Sequence, residues 1–168
     1  MATILTTARL RLVPMTLACT ASPDDRVAIG KITNARVPDS WPVEHYDDDA
    51  LEATRNVLER DPVSEFVMRY IVTIDEPTVI GIVGCSPPAN GRVMVGYSVD
   101  PAWQRRGYAS EALAALIDSF RSDAEVIEII ADTYPDLVGS IRTMQRCGLT
   151  FIGPGEEEGV IRHALKLK

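Results

Sequence analysis

Between Gly96 and Leu113 the chain changes character twice. Tyr97, Ser98 and Val99 continue an extended run that stops at Asp100-Pro101. Gln104, Arg105, Arg106 and Gly107 then form a short basic turn. From Tyr108 onward small and apolar residues recur at helical spacing, with Ala109, Leu113, Leu116, Ile117 and Phe120 on one face. A fold containing this stretch must place a helix start directly after a strand. The first N–H groups of a helix have no intrahelical acceptor and carry partial positive charge, so this junction is an anion site. Gly107 and Ala109 leave the main chain approachable, Tyr108 and Ser110 complete the first turn, and Arg105 and Arg106 add charge. Two other phosphate motifs are absent: Gly-x-Gly-x-x-Gly and Gly-x-x-x-x-Gly-Lys-Ser/Thr. That argues against dinucleotide and ATP binding.

The rest of the chain supplies a sheet for this junction. Arg9 to Met15 alternates charged and apolar residues and reads as a strand. Ser22-Pro23-Asp24-Asp25 opens a short helix to about Asn34, and Val37 to Pro42 is a loop. Asp47, Asp48 and Asp49 lead a second helix that ends before Pro62. Phe66 to Ile74, Val79 to Cys85 and Arg92 to Val99 form a three-stranded meander with turns at Asp75 to Thr78 and Pro87 to Gly91. Val126 to Ala131 is a β-branched run of the kind a buried strand needs. Asp136 is placed to cap a helix running to Cys147. Leu149 to Ile152 and Val160 to Leu167 are the last strands, joined by a Gly- and Glu-rich hairpin. The order β-αα-βββ-α-β-α-ββ predicts an α/β (α+β) fold: one domain over 1–168, with a mixed, mostly antiparallel sheet of about seven strands and about four helices.

Charge narrows the partners. The 168 residues carry a formal net charge of −7, a poor match for nucleic acid or an anionic membrane and a better one for a cationic substrate. No apolar run approaches the roughly 20 residues of a membrane span, and no secretory signal pattern precedes Thr7. Cys19, Cys85 and Cys147 lie far apart, in an odd number and without metal-ligand spacing. We expect a reduced, cytoplasmic setting and no metal.

The spacing Gln104-x-x-Gly107-x-Ala109 resembles the signature of the GCN5-related N-acetyltransferases. Thr7-Ala8-Arg9-Leu10-Arg11-Leu12 is similar to the opening strand of the branch that acetylates ribosomal-protein N-termini. Thr133 to Ile152, with Ser140, Arg142 and Cys147-Gly148-Leu149, resembles that branch's C-terminal half. The resemblance implies that Gln104 to Ser110 hold the diphosphate of acetyl-CoA. It also implies that the main chain of Tyr97, Ser98 and Val99 departs from the strand at Val126 to Thr133. The freed main chain then pairs with the pantetheine arm like an added strand, and an N–H near Tyr97 to Val99 polarises the thioester carbonyl. Three positions depart from the pattern: Met94 where relatives commonly carry a glutamate, Leu137 for a cofactor-contacting asparagine, and Met144 for a tyrosine acid.

The catalytic candidates are Ser140, His45 and Glu65. Ser140 would protonate the departing thiolate, against the plainer role of a helix-start serine bonding the local backbone. His45, in the loop after Trp41-Pro42, is a base candidate because histidine is the side-chain type suited to exchanging a proton near neutral pH, against a plain surface histidine. Glu65 stands before the first meander strand, and a water chain is an alternative to both. Asp47 to Asp49 either attract an amine or complement the helix dipole. Glu156 to Glu158 read as a solvated hairpin and His163 as structural. The expected activity is transfer of an acetyl group from acetyl-CoA to a primary amine, either a small molecule or a protein N-terminus. The alternative is a non-catalytic acyl-CoA-binding module on the same scaffold. A homodimer is an assembly the resemblance allows.

Overall fold

The computed structural model describes residues 2–168. The strands are β1 (Leu5–Thr6), β2 (Leu10–Pro14), β3 (Arg69–Thr73), β4 (Val79–Cys85), β5 (Arg92–Val99), β6 (Glu128–Thr133), β7 (Thr150–Pro154) and β8 (Ile161–Lys166). The helices are α1 (Arg26–Thr33), α2 (Asp48–Arg60), α3 (Tyr108–Ser119) and α4 (Val138–Arg146). Short 3-10 turns cover Leu17–Thr20 and Pro101–Trp103. The sheet has eight strands in the order β1-β2-β3-β4-β5-β6-β8-β7. Every neighbouring pair is antiparallel except β5 and β6.

Local chemistry sets most boundaries. The side chains of Asp25 and Asp47 accept from the N–H groups of Ala28 and Ala50 and so cap α1 and α2. Asn34 closes α1 in the left-handed region. Asn90 and Gly91 both take positive φ in the β4–β5 turn. Asp47 therefore acts as a cap, the plainer of its two expected roles. Asp136 does not cap α4 with its side chain: Leu137 occupies the cap position and the Val138 N–H donates to the Asp136 carbonyl. The sheet has one strand more than expected, because β1 is only two residues long and too short to show a period.

Alternation along the strands divides the interior between two faces. On one face Leu10, Leu12, Ile71, Val83, Val93 and Val95 pack against Leu113, Leu116 and Ile117 of α3 and Met144 of α4. On the other, Val13, Tyr70, Val72 and Ile82 pack against Ile29 of α1, Leu51 of α2, and Trp41 and Tyr46 of the segment joining those helices. Each fully buried leucine or isoleucine contributes about 1.5–3 kcal/mol.

The central irregularity positions the site. β4 pairs with β5 through Val99, whereas β6 pairs with β5 only from Arg92↔Glu128 to Met94↔Ile130. Beyond Met94 the two parallel strands separate. A wedge opens between them on the side where α3 begins.

Candidate functional site at the β5–β6 gap

Sheet geometry decides which main-chain groups face this wedge. The Ser86 N–H donates to Met94 O and the Asp100 N–H to Ile80 O, so even-numbered residues of β5 turn their polar groups toward β4. Odd-numbered residues turn theirs the other way. The Val99 carbonyl is taken by Gln104 Nε2 at 2.7 Å. The N–H and C=O of Tyr97 and the N–H of Val99 are left facing the gap, where a further extended chain would fit.

The helix start after β5 is open as well. Among the described residues, no acceptor meets the backbone N–H of Arg105, Arg106, Gly107, Tyr108, Ala109 or Ser110. The first helical bond of α3 is Glu111 N–H to Gly107 O at 3.0 Å. Gly107 is the cap residue and has no side chain to close the end, unlike Asp25 and Asp47 on α1 and α2. Arg105 at φ 63° and Gly107 at φ 81° both lie in the left-handed region, which folds the turn tightly around its own amides. Arg106 lies over the Trp103 ring, 5.5 Å from the centroid, and both arginines reach solvent. Unpaired N–H groups, a helix dipole and two exposed guanidinium groups together favour a bound anion.

A brace behind the turn escaped the sequence reading. Arg9 at the foot of β2 donates from Nε to Glu111 Oε2 at 2.6 Å and from Nη1 to the Arg106 carbonyl at 3.0 Å. Its guanidinium stacks 4.4 Å from the Tyr108 ring. Glu111 also accepts from Thr7 Oγ1 at 2.5 Å and from the Arg9 N–H at 3.0 Å. Burial alone would raise the Glu111 pKa, but these hydrogen bonds and the Arg9 charge outweigh it and hold the carboxyl below its ordinary value. The signal in sequence was Thr7 and Arg9 within the opening strand motif, but their partner is about a hundred residues away.

Ser140 and Tyr97 meet across the wedge. The Tyr97 hydroxyl donates to the Ser140 carbonyl at 2.9 Å and lies 3.2 Å from Ser140 Oγ. Burial, the dominant cause, pushes the phenol up to about 12, so it stays protonated. Ser140 is therefore coupled to another candidate side chain, beyond its own helix.

The opposite face of the wedge carries the charges. Ile129 and Ala131 of β6 point toward α3 and α4, so Asp132 points to the other face, the same one as Met94, Gly96 and Ser98. A side chain at Gly96 would meet nothing within 4 Å. Asp132 accepts a bidentate pair from Arg162 at 2.7 and 2.8 Å, which keeps its carboxyl below the ordinary aspartate value. Glu156 lies 3.5 Å from Arg162 Nη2, so the final hairpin is tied to this pair. Sequence reading left Asp132 aside because a lone aspartate in an apolar strand has no spacing to mark it.

The other two candidates lie apart from Ser140. Glu65 accepts from the Thr3 N–H and Oγ1 at 2.9 and 2.8 Å and from Arg69 Nη2 at 2.6 Å. Its neighbour Phe66 stacks on Phe120, at the far end of α3 from the turn. One Glu65 oxygen thus holds the N-terminal segment at Thr3 and the other meets the fully buried Arg69, so both are engaged by protein donors. His45, at φ 64°, stands on the exposed tip of the α1–α2 segment, 3.7 Å from Glu44. His163 is buried on β8, its Nδ1 without a partner among the described residues.

All three cysteines are unpaired. Burial pushes the Cys85 thiol up to about 12 and the Cys147 thiol up to about 11, so neither is a ready nucleophile. Among the described residues no group of three His, Cys, Asp or Glu side chains is placed to hold a metal ion, and no helix is long and apolar enough to cross a membrane.

Comparison with known proteins bears on the same region. A family model described as an acetyltransferase (GNAT) domain matches residues 9–150. YjdG of Bacillus subtilis strain 168, an uncharacterised N-acetyltransferase, is 30% identical over 153 residues, covering 86% of this chain and 88% of the relative. Among solved structures, the ribosomal-protein-S5-alanine acetyltransferase of Vibrio fischeri superposes with a TM-score of 0.70 at 15% identity, over 99% of this chain and 97% of that one. RimL, a ribosomal L7/L12 α-N-protein acetyltransferase in complex with coenzyme A, gives 0.69 at 18% identity over 98% of each chain.

Proposed function

Because the chain belongs to the acetyltransferase (GNAT) family, we propose that it transfers an acetyl group from acetyl-CoA directly to a primary amine. The observation that carries this reading is the run of unpaired N–H groups from Arg105 to Ser110 at an uncapped helix start. Such a cradle suits a diphosphate, and the wedge beside it suits the pantetheine arm, which would pair with the main chain of Tyr97 and Val99. Gln104 keeps the cradle against the end of β5 by holding the Val99 carbonyl.

The residues divide the work by face. An amine approaches from the side of Gly96 and Asp132, since α3, α4, Tyr97 and Ser140 fill the other. Asp132 stays ionised and attracts an ammonium group. With its pKa depressed it is a weak base, so the ammonium proton leaves through water or toward His45. The amine nitrogen attacks the thioester carbon, the carbon–sulfur bond breaks, the sulfur takes a proton from Ser140, and Ser140 regains one through water from the nitrogen, which sheds it on becoming an amide. The Tyr97 hydroxyl steadies Ser140 during that transfer. Raised thiol pKa values favour this direct route over an acetyl-cysteine intermediate. Most of the acceleration comes from holding two reactants in contact.

The acceptor is a small amine or a protein N-terminus. The protein substrates named for the two solved acetyltransferases favour the second. The unpaired thiols suit a reducing compartment, which supports the cytoplasm as the setting. Thiol release from acetyl-CoA, followed across a panel of amines and N-terminal peptides, tests the proposal. Turnover on a member of the panel supports it. Binding of CoA without turnover on any member favours the non-catalytic module, and absence of binding removes both readings.

A further inference from the structure

Asp100 is 2% exposed and is the one acid in the buried interior of the described residues. Its own N–H donates to Ile80 O at 2.8 Å, so its backbone belongs to the β4–β5 ladder. One carboxylate oxygen accepts from the Ala102 N–H at 2.8 Å and caps the 3-10 turn that leads into Gln104. The other accepts from Ser40 Oγ. Ser40 lies on the segment between α1 and α2, a different part of the chain that ends in the exposed pair Glu44 and His45.

That segment is an arch stiffened from within. Arg26 donates to the carbonyls of Pro38, Asp39 and Trp41 at 3.4, 3.3 and 2.9 Å. Trp41 Nε1 donates to Pro23 O at 3.0 Å. These bonds keep the arch in shape, while its two ends rest on the sheet: the Arg36 N–H donates to Pro77 O and the Val79 N–H to Arg36 O, both at 2.9 Å, and the Tyr46 hydroxyl lies 2.8 Å from that of Tyr70. Ser40 is its direct side-chain link to the end of β5, where the anion cradle begins. Between those ends the Ser40–Asp100 bond ties the middle of the arch, a few residues from Glu44 and His45, to the turn that leads into the cradle.

Resting on the reading of the cradle as the acetyl-CoA site, we infer that Asp100 is a positioning residue that couples cofactor binding to the acceptor-side arch. Anchoring a diphosphate on the N–H groups that follow Gln104 steadies the Pro101–Trp103 turn. The Asp100 carboxylate passes that order through Ser40 to the arch. The amine would then meet a finished pocket only after acetyl-CoA is in place. Linkage makes the effect reciprocal: an arch held by Ser40 tightens acetyl-CoA by the factor by which acetyl-CoA steadies the arch.

Amide hydrogen exchange with acetyl-CoA as the only added ligand reads both ends at once. In the unmodified protein, saturating acetyl-CoA slows exchange in peptides spanning 104–110 and also, by about five-fold, in peptides spanning 36–46, the scale of one hydrogen bond. Ser40→Ala keeps the slowing at 104–110 and loses it at 36–46. Asp100→Asn still accepts from Ala102 and can donate to Ser40, so it retains both, which a general loss of stability would not do. Slowing at 104–110 without slowing at 36–46 in the unmodified protein overturns the coupling and leaves the proposed function standing. Persistence of the arch response in Ser40→Ala overturns it as well. No slowing at either place removes the cofactor reading together with the coupling.

Discussion

At Gly107 a single hydrogen atom in place of a side chain leaves the cradle open. The residue is at φ 81°, and a Cβ there would come 3.4 Å from Arg9 Nη2, an ordinary contact with a flexible group. Gly107→Glu therefore costs about 1 kcal/mol of backbone strain and leaves the fold intact. Its carboxylate would sit against Arg9 and the free N–H groups, where it competes with a diphosphate. We expect acetyl-CoA affinity to fall by about 100-fold or more, since repulsion and lost amide contacts together exceed 2.7 kcal/mol, with an unchanged circular dichroism spectrum. Titration calorimetry measures the affinity, and an unaltered dissociation constant would remove the cradle as the cofactor site. Ser140 and Tyr97 separate by chemistry. Ser140→Ala removes the proton donor and should lower kcat by about 100-fold with little change in KM for acetyl-CoA. Tyr97→Phe keeps the ring, breaks only the bond to Ser140 and should cost about 0.5–1.5 kcal/mol of activation free energy. Equal effects from the two variants would contradict the assignment of the proton to Ser140.

The separation of β5 from β6 depends on how tightly β5 is held on its other side. Gly81 of β4 lies opposite Val99, and a Cβ at Gly81 would sit 2.3 Å from the Ser98 carbonyl oxygen. That oxygen is main chain inside a ladder and cannot yield without moving β5. Gly81→Ala should destabilise the protein by about 1–3 kcal/mol and shift β5 into the wedge, so acetyl-CoA binding weakens along with stability. Urea unfolding and calorimetry on one preparation test both halves, and loss of stability with full affinity would show that β5 can move without closing the gap. The elements were legible because their signals are local: Asp25 and Asp47 announce helix starts, and Val93, Val95 and Val99 announce a strand with one buried face. The turn at Gln104 to Ser110 was legible for the same reason, since cap, glycine and charge are consecutive. Asp132, the Arg9–Glu111 brace and the Ser40–Asp100 bond depend on which strands become neighbours, and no spacing along the chain carries that. The partners of Glu65, Thr3 and Arg69, were not legible either, because a glutamate beside a strand carries no mark of what it will face.

Across the whole molecule the balance of protonation is set by few groups, and this gives stability a defined dependence on pH. His163 is 1% exposed, with Nδ1 unpartnered, and burial holds its pKa below the ordinary histidine value. Its neighbours on β6 and β7 are Ala131 and Phe151, which offer no side-chain acceptor for an added proton. The unfolded chain takes up a proton at about pH 6.5 while the native protein does not. Stability is therefore complete above that pH and declines as the pH falls toward the lower native pKa, by at most about 1.4 kcal/mol per pH unit for one proton. The carboxylates act lower. Asp132, held down by Arg162, and Glu111, held down by Thr7 and Arg9, contribute stability that is lost only as the pH falls through about 4 and below. Between pH 7 and 5 the slope thus belongs to His163. His163→Phe replaces an imidazole with a ring that can keep the edge contact to Phe151. Urea unfolding at pH 7 and pH 5 should show a clear loss for the unmodified protein and a nearly flat response for the variant. Equal losses in both proteins would mean that the native imidazole finds a proton acceptor within the sheet.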